Sequence, residues 1–376
     1  MLVQHEKNPN PTKDQHFMVD ETILDHIRQK ADIRPGETVV EIGGGAGALT
    51  KHLVKGGNYV TVIEKDPYYA KVLREMFASN ENVEVREGDA LEEDFSGYDR
   101  IVANLPYTIT EPFLVNLARS GALSHNPKDA KSSKVKSITL VLSQNSVRKM
   151  VAPIQILDGK SRHFNPEFGM MGTICHTFLD VEIDMVIPSE AFFPEPAVTS
   201  FLVNLTPKKK KTTVDRILEE MLVDKKGSHP SVTRVYQTML KQGKAYNLNK
   251  HKSMSATQAF TTCTSKTIGD RNVYDLTNAQ LSQLIQDLIR NDSKVKGYKC
   301  MAKSSRAYEL DDRLYDEGLD DDIDCDDAEV PVRKTKVQKK AEEKYAYLYD
   351  DRKYNLLLRR RLEYMESTQL AAAMGV

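Results

Sequence analysis

Apolar positions recur along the first two hundred residues with two periods that take turns. Ile23, Leu24, Ile27 and Ala31 fall at helical spacing behind Asp20, a good capping residue, so an amphipathic helix is predicted over 21–32. Thr38 to Ile42 reads as a buried strand, and a helix follows from about Ala48 to Lys55. The same exchange continues: a strand in YVTVIEKD, a helix in DPYYAKVLREMFAS, and a strand in VEVREGDA. A fourth strand lies in IVANLPY, a helix in TEPFLVNLARSGA and a fifth strand in SITLVLSQ. CHTFLDVEIDMVIP and AVTSFLVNL alternate like two more strands, after an irregular stretch, ILDGKSRHFNPEFGMMG. Strands alternating with helices predict an α/β fold, here with seven strands in a mostly parallel sheet.

From Lys208 the pattern changes. Lys208 to Lys211 mark a linker, and 212–290 reads as a small helical domain. Its last helix carries Leu281, Leu284, Ile285 and Leu288 on one face behind Thr277 as cap. Residues 1–13 are polar and read as an arm. Residues 291–376 form a charged tail with an aspartate-rich run too polar to bury itself, and the pattern of a final charged helix.

The bulk numbers add bounds. The chain has 376 residues, 40% apolar and 28% charged, enough for two domains and a tail. Its net charge of −1 hides a basic run at 208–211, an acidic stretch over 309–329 and a basic one over 333–340, so charge has to be read by segment. Cys175, Cys263, Cys300 and Cys325 lie far apart without a C-x-x-C pair, which points to reduced thiols and to neither a zinc site nor a disulfide framework. The aspartate-rich run lacks the spacing of a calcium loop, and no metal site is expected. With no membrane-length apolar run, the expectation is a soluble cytoplasmic protein without membrane contact.

The chemistry-bearing residues sit at predicted strand ends. Gly43, Gly45 and Gly47 form a glycine-rich turn between strand and helix, where amides can face a ligand. Glu64, about twenty residues on, is placed to take both hydroxyls of a ribose, and Asp89 to accept from an adenine amino group. Asn104-Leu105-Pro106-Tyr107 follows an apolar strand. The Asn104 amide oxygen and the backbone carbonyl next to Pro106 can accept both hydrogens of an exocyclic amine while Tyr107 stacks on its ring. Phe192 or Phe193, bracketed by prolines, offers a second wall. The glycine turn alone also fits a nicotinamide dinucleotide site, but the fourth strand offers neither a nicotinamide place nor a general acid or base, which disfavours a dehydrogenase.

Together QHFMVD, EIGGGAGALT, VIEKD, EGDAL, NLPY and AFFPEPAVTS resemble, in order and approximate spacing, the ribosomal RNA adenine N6,N6-dimethyltransferase family. The resemblance is good over 14–207 and weaker over 270–290. It implies a Rossmann-like class I methyltransferase domain over 14–207 and a small RNA-binding helical domain over 212–290. It also implies S-adenosylmethionine as cofactor and N6-methylation, to dimethyladenosine, of adenine in ribosomal RNA. A monomer acting on small-subunit rRNA or its precursor particle is expected. Carried over by motif, His16 and Met18 close over the cofactor and Gly43 approaches it. Glu64 holds the ribose, Asp89 the adenine, and Asn104 bridges cofactor and target amine. Tyr107 and Phe192 sandwich the flipped base. Lys131, Lys134, Lys136 and Lys208–Lys211 are the expected phosphate contacts. Phe193 stands where many relatives carry arginine. Two other readings stay open: a non-catalytic RNA-binding assembly or transcription factor on the same fold, and a DNA adenine methylase.

Overall fold

The computed structural model describes residues 15–124, 133–152, 167–209, 211–223, 231–232, 268 and 271–291. All of them fall in one of the two compact units into which the chain divides, 1–153 with 164–294. The expected arm, the charged tail beyond 291 and most of the expected helical domain lie outside the described residues.

Seven strands form one sheet: β2 (Thr38–Ile42), β3 (Tyr59–Glu64), β4 (Val83–Glu87), β5 (Arg100–Asn104), β6 (Ser137–Ser143), β7 (Leu179–Ile187) and β9 (Ser200–Pro207). Their order is β4-β3-β2-β5-β6-β9-β7, and β9 runs antiparallel to both neighbours while the rest run parallel. The strand order reverses between β2 and β5, the crevice where open α/β sheets bind ligands. A separate two-stranded ribbon pairs β1 (Phe17–Met18) with β8 (Phe192–Phe193).

The first helix, α1 (Glu21–Ala31), begins where expected because the Asp20 carboxylate accepts the Thr22 and Ile23 N–H groups, and its apolar stripe is buried. It packs on α2 (Ala48–Leu53) and on β6. Next come α3 (Pro67–Met76), α4 (Thr110–Arg119) and α5 (Gln144–Val151). The run predicted as a strand from Cys175 begins as a helix, α6 (Met170–Phe178), and the strand starts only at Leu179. Met171, Ile174, Cys175 and Phe178 are buried at i, i+3, i+4 and i+7, and α4, α5 and α7 (Thr213–Leu222) gather around them. That period outweighs the short alternation in the sequence. The final described helix, α8 (Asn278–Asn291), packs on α6 and α7.

At the amino ends of the strands, Arg100 is buried and donates to both oxygens of Glu37 at 2.8 and 3.2 Å. Lys136 adds ion pairs to Glu37 at 2.9 Å and to Asp99 at 2.8 Å. Burial favours a neutral Glu37, but donors on Arg100, the Arg34 amide and Lys136 outweigh it and hold its carboxyl at about 2. The folded value lies below the unfolded one, so this stabilisation is complete above about pH 4.3 and is lost as pH falls towards 2. Glu37→Gln is therefore expected to cost about 2–3 kcal/mol of unfolding free energy at pH 7, because it leaves a buried guanidinium short of its partner. Urea titration across pH should show the deficit shrinking between pH 4 and pH 2.

Candidate functional site

The carboxyl ends of β2, β3, β4 and β5 lie on one rim, and each delivers one expected residue there. Ile42 pairs with Ala103 across the β2–β5 step, so the chain leaves β2 as Gly43 beside Asn104. A Cβ on Gly43 would lie 4.0 Å from the Asn104 carbonyl oxygen, and the residue holds a φ of +73° that favours glycine. Gly45 has a φ of +50°, and a Cβ there would meet the Phe17 ring at 2.7 Å. The turn is thus a cradle closed to a side chain at Gly45, where the Phe17 ring fills the space, while at Gly43 it is the positive φ that favours glycine.

Glu64 ends β3 and is tied into that cradle. Its two carboxylate oxygens accept the Gly45 and Asp66 N–H groups, each at 2.8 Å. Burial pushes its carboxyl above the usual range, and those two amides oppose the rise. A carboxylate accepts about four hydrogen bonds, so acceptor capacity remains for a pair of ligand hydroxyls. Asp89, after β4, caps a short 3-10 turn by accepting the Leu91 N–H at 3.0 Å, and it pairs with exposed Lys65 at 2.6 Å. Hydrogen bonds from Lys65 and Leu91 hold its carboxyl below the usual range.

Asn104 is the last residue of β5. Its Nδ2 donates to the backbone carbonyl of His16 at 3.0 Å, which leaves Oδ1 as the acceptor the side chain presents. The His16 ring in turn bonds through Nδ1 with the Pro194 carbonyl at 2.8 Å, and β1 pairs with β8 as Phe17 with Phe193 and Met18 with Phe192. Residues 16–18 and 192–194 therefore form a strap closed over the ends of β2 and β5. Tyr107 opens a 3-10 turn after Pro106; its hydroxyl bonds Ser200 Oγ at 2.6 Å and its ring lies near-parallel to His16, 6.2 Å between centroids. The Pro106 carbonyl accepts the Ile109 N–H at 3.1 Å.

His16, Met18, Gly43, Gly45, Glu64, Asn104, Pro106 and Tyr107 are brought together at this rim, with Asp89 at the neighbouring strand end. The two phenylalanines part company. Phe192 is buried at 2% exposure and Phe193 is 59% exposed, as alternation along a strand requires. Ser200 and the Pro194 carbonyl were not anticipated, since each acts through a contact that is distant in sequence. Glu41 was also missed, although a glutamate inside the apolar run Val39-Val40-Glu41-Ile42 was the available signal.

The expected basic surface is displaced. Lys131 and Lys210 lie outside the described residues. Lys134 and Lys136 precede β6, and Lys208 and Lys211 follow β9; because β9 is antiparallel to β6, all four sit towards the rim opposite the site. Lys136 is held by Glu37 and Asp99, Lys208 donates to the His176 carbonyl, and Lys211 pairs with Glu219 over the Phe178 ring. Among the described residues no group of metal-ligating side chains is present, and no helix is long and apolar enough to cross a membrane.

The fold and the site define a Rossmann-like α/β protein with a nucleotide-type cradle at the switch point of its sheet. The chain belongs to the ribosomal RNA adenine dimethylase family, whose model matches residues 6–258. A protein named probable ribosomal RNA small subunit methyltransferase A from Methanococcoides burtonii is 34% identical over 195 residues, 52% of this chain and 64% of that protein. A protein of the same name from Halobacterium salinarum is 33% identical over 210 residues, 55% of this chain and 66% of that one. The chain thus spans a little under two thirds of the length of these relatives. Among solved structures, a dimethyladenosine transferase from Plasmodium falciparum is 20% identical with a TM-score of 0.46, covering 73% of this chain and 98% of that one. The 23S rRNA methyltransferase ErmE is 20% identical with a TM-score of 0.42, covering 72% of this chain and 99% of its own.

The Phe17 contact separates two glycines. Gly45→Ala is expected to cost about 2–3 kcal/mol, strain plus displacement of the ring. Gly57→Ala, at φ +72° with nothing within 4 Å of the added carbon, should cost about 1 kcal/mol. Chemical denaturation of the two variants side by side measures the difference.

Proposed function

We propose that this protein methylates N6 of adenine in ribosomal RNA, through to dimethyladenosine, with S-adenosylmethionine as donor. The observation that carries the reading is the held amide of Asn104: its Nδ2 donates to the His16 carbonyl at 3.0 Å, at a strand end whose backbone lies beside Gly43, and its Oδ1 is the side chain's acceptor. S-adenosylmethionine, when bound, supplies an electrophilic methyl group on a sulfonium. The residues fit such a ligand: a glycine turn that brings bare backbone to the strand end beside Asn104, and a Glu64 carboxylate with acceptor capacity to spare for ribose hydroxyls.

The protein's own part is positional. Asn104 Oδ1 and one backbone carbonyl accept the two amine hydrogens, which turns the nitrogen lone pair out of conjugation with the ring. The Pro106 carbonyl already accepts the Ile109 N–H, and we assign the second acceptor to the carbonyl of Leu105, on the other side of that proline. Tyr107, anchored through Ser200, offers a fixed face for the flipped base. No general base is needed, since the amine loses its proton after it has reacted, and in-line placement supplies much of the rate. Asp89 would accept from the cofactor adenine once Lys65 yields. Phe193 presents the exposed ring at the strap, and Phe192 would have to leave its buried position to form the second wall opposite Tyr107.

The family and the names of the relatives support small-subunit rRNA as the target, and the reading extends to a precursor particle as partner and a cytoplasmic setting. A monomer with a separate helical RNA-binding domain over 212–290 belongs to the same reading. The DNA-methylase and non-catalytic alternatives fall to one experiment, transfer of labelled methyl to small-subunit particles, large-subunit RNA and duplex DNA, with nucleosides analysed afterwards. Dimethyladenosine from the small-subunit sample alone is expected. Asn104→Ala should lower transfer by at least about a thousandfold while cofactor affinity changes only a few-fold. Full activity of that variant would remove the amine clamp.

A further inference from the structure

Among the described residues three large apolar side chains stand exposed, and two of them, Phe193 at 59% and Val198 at 41%, lie in the segment that begins with β8. The third, Tyr59, opens β3 at the opposite end of the sheet. We propose that Phe193 is a stacking platform for an unpaired RNA base next to the target adenine, so that the strap grips substrate through a ring and not through charge. The inference rests on the methyltransferase reading of the site.

The ribbon decides which way the ring faces. Phe17 pairs with Phe193 and Met18 with Phe192, and directly opposed residues share one face of an antiparallel pair. Met18 and Phe192 are buried at 4% and 2%, so theirs is the inward face. Phe17 and Phe193 share the other, where Phe17 covers Gly45 and Phe193 meets solvent. The backbone under the ring is held on both sides. The Val19 N–H donates to the Ala191 carbonyl at 2.8 Å, and the His16 ring bonds the Pro194 carbonyl. A ring on so fixed a base loses little freedom when a partner stacks on it.

Place and charge identify the occupant. His16 bonds both Pro194 and Asn104, so Phe193 stands two contacts from the amine clamp. The segments that meet there, 15–20, 104–109 and 188–199, contain no lysine or arginine, and Glu190 and Glu195 are exposed. Lys65, at a neighbouring strand end, is paired with Asp89. A phosphate finds no cation on these segments, whereas every base has a π-face that stacks on a phenyl ring. Flipping the target adenine also takes a stacking partner from its neighbours, and an outward ring replaces what they lose.

The test measures binding to protein-free small-subunit rRNA and methyl transfer to small-subunit particles, from about 50 to 200 mM salt. Phe193→Ala is expected to weaken RNA binding and raise KM by about five- to a hundredfold, with kcat and S-adenosylmethionine affinity changed less than about twofold. Phe193→Trp should hold or tighten binding, and Phe193→Leu, apolar but without a ring face, should behave as the alanine variant. Phe193→Arg keeps a planar stacking group and adds charge. It should restore binding, with a slope of log affinity on log salt steeper by about 0.7, one phosphate contact on a single strand. Equal RNA binding by wild type and Phe193→Ala, or full rescue by Phe193→Leu, would overturn the inference. So would a loss confined to particles, which would put a ribosomal protein on the ring, and so would a fall in kcat with KM unchanged, which would assign the ring to the target adenine. RNA binding by wild type without methyl transfer would overturn the methyltransferase reading instead, and the binding comparison would still decide for or against Phe193.

Discussion

Parallel hydrogen bonding between β2 and β5 sets Ile42 level with Ala103, so both strands leave the sheet at the same height. From that register the cradle and the clamp follow. Gly43 must bend away at a positive φ, and Asn104 must end its strand within reach of it. A one-residue slip would turn every side chain of one strand to the opposite face and separate the two halves of the site. The strands that fix the register are almost wholly buried, with Val39, Val40, Ile101 and Val102 fully covered. The core therefore holds the chemistry in place at a distance.

The second constraint is the strap. His16 contributes its carbonyl to Asn104 and its ring to Pro194, so one residue links the amine clamp to the segment that carries the phenylalanines. Phe17 fills the space over Gly45 and meets Tyr69 edge-on at 5.2 Å. The glycine turn and the Asn104 strand end consequently share one cover. Two carboxyls under that cover have different surroundings. Glu64 is hydrogen-bonded by amides and suits hydroxyl recognition, whereas Glu41 has a single hydroxyl donor and favours its neutral form.

Local motifs carried most of what could be read in the chain. The glycine turn, Glu64, Asp89 and Asn104-Leu105-Pro106-Tyr107 each announce a strand end through residues adjacent in sequence, and the alternating periods place those ends on one rim. What escaped notice depends on pairing across long separations. Nothing near His16 declares that it meets Pro194, 178 positions away, and nothing near Tyr107 points to Ser200. The lysines were misplaced for a related reason. Their side of the molecule follows from β9 running antiparallel, which composition does not encode. Phe192 and Phe193 look equivalent in sequence, and only the pairing of β8 with β1 decides which ring is buried. The start of α6 was lost because a short apolar run fits either period.

The account turns on Asn104 presenting its oxygen to an adenine amine. The most direct measurement is a crystal structure of the protein with S-adenosylhomocysteine and adenosine monophosphate bound. The account places the exocyclic nitrogen within hydrogen-bond reach, about 3 Å, of Asn104 Oδ1 and the Leu105 carbonyl, with the base on Tyr107 and the His16 contact to Asn104 Nδ2 retained. An adenine seated elsewhere, or an Asn104 amide turned to donate to the base, would contradict it.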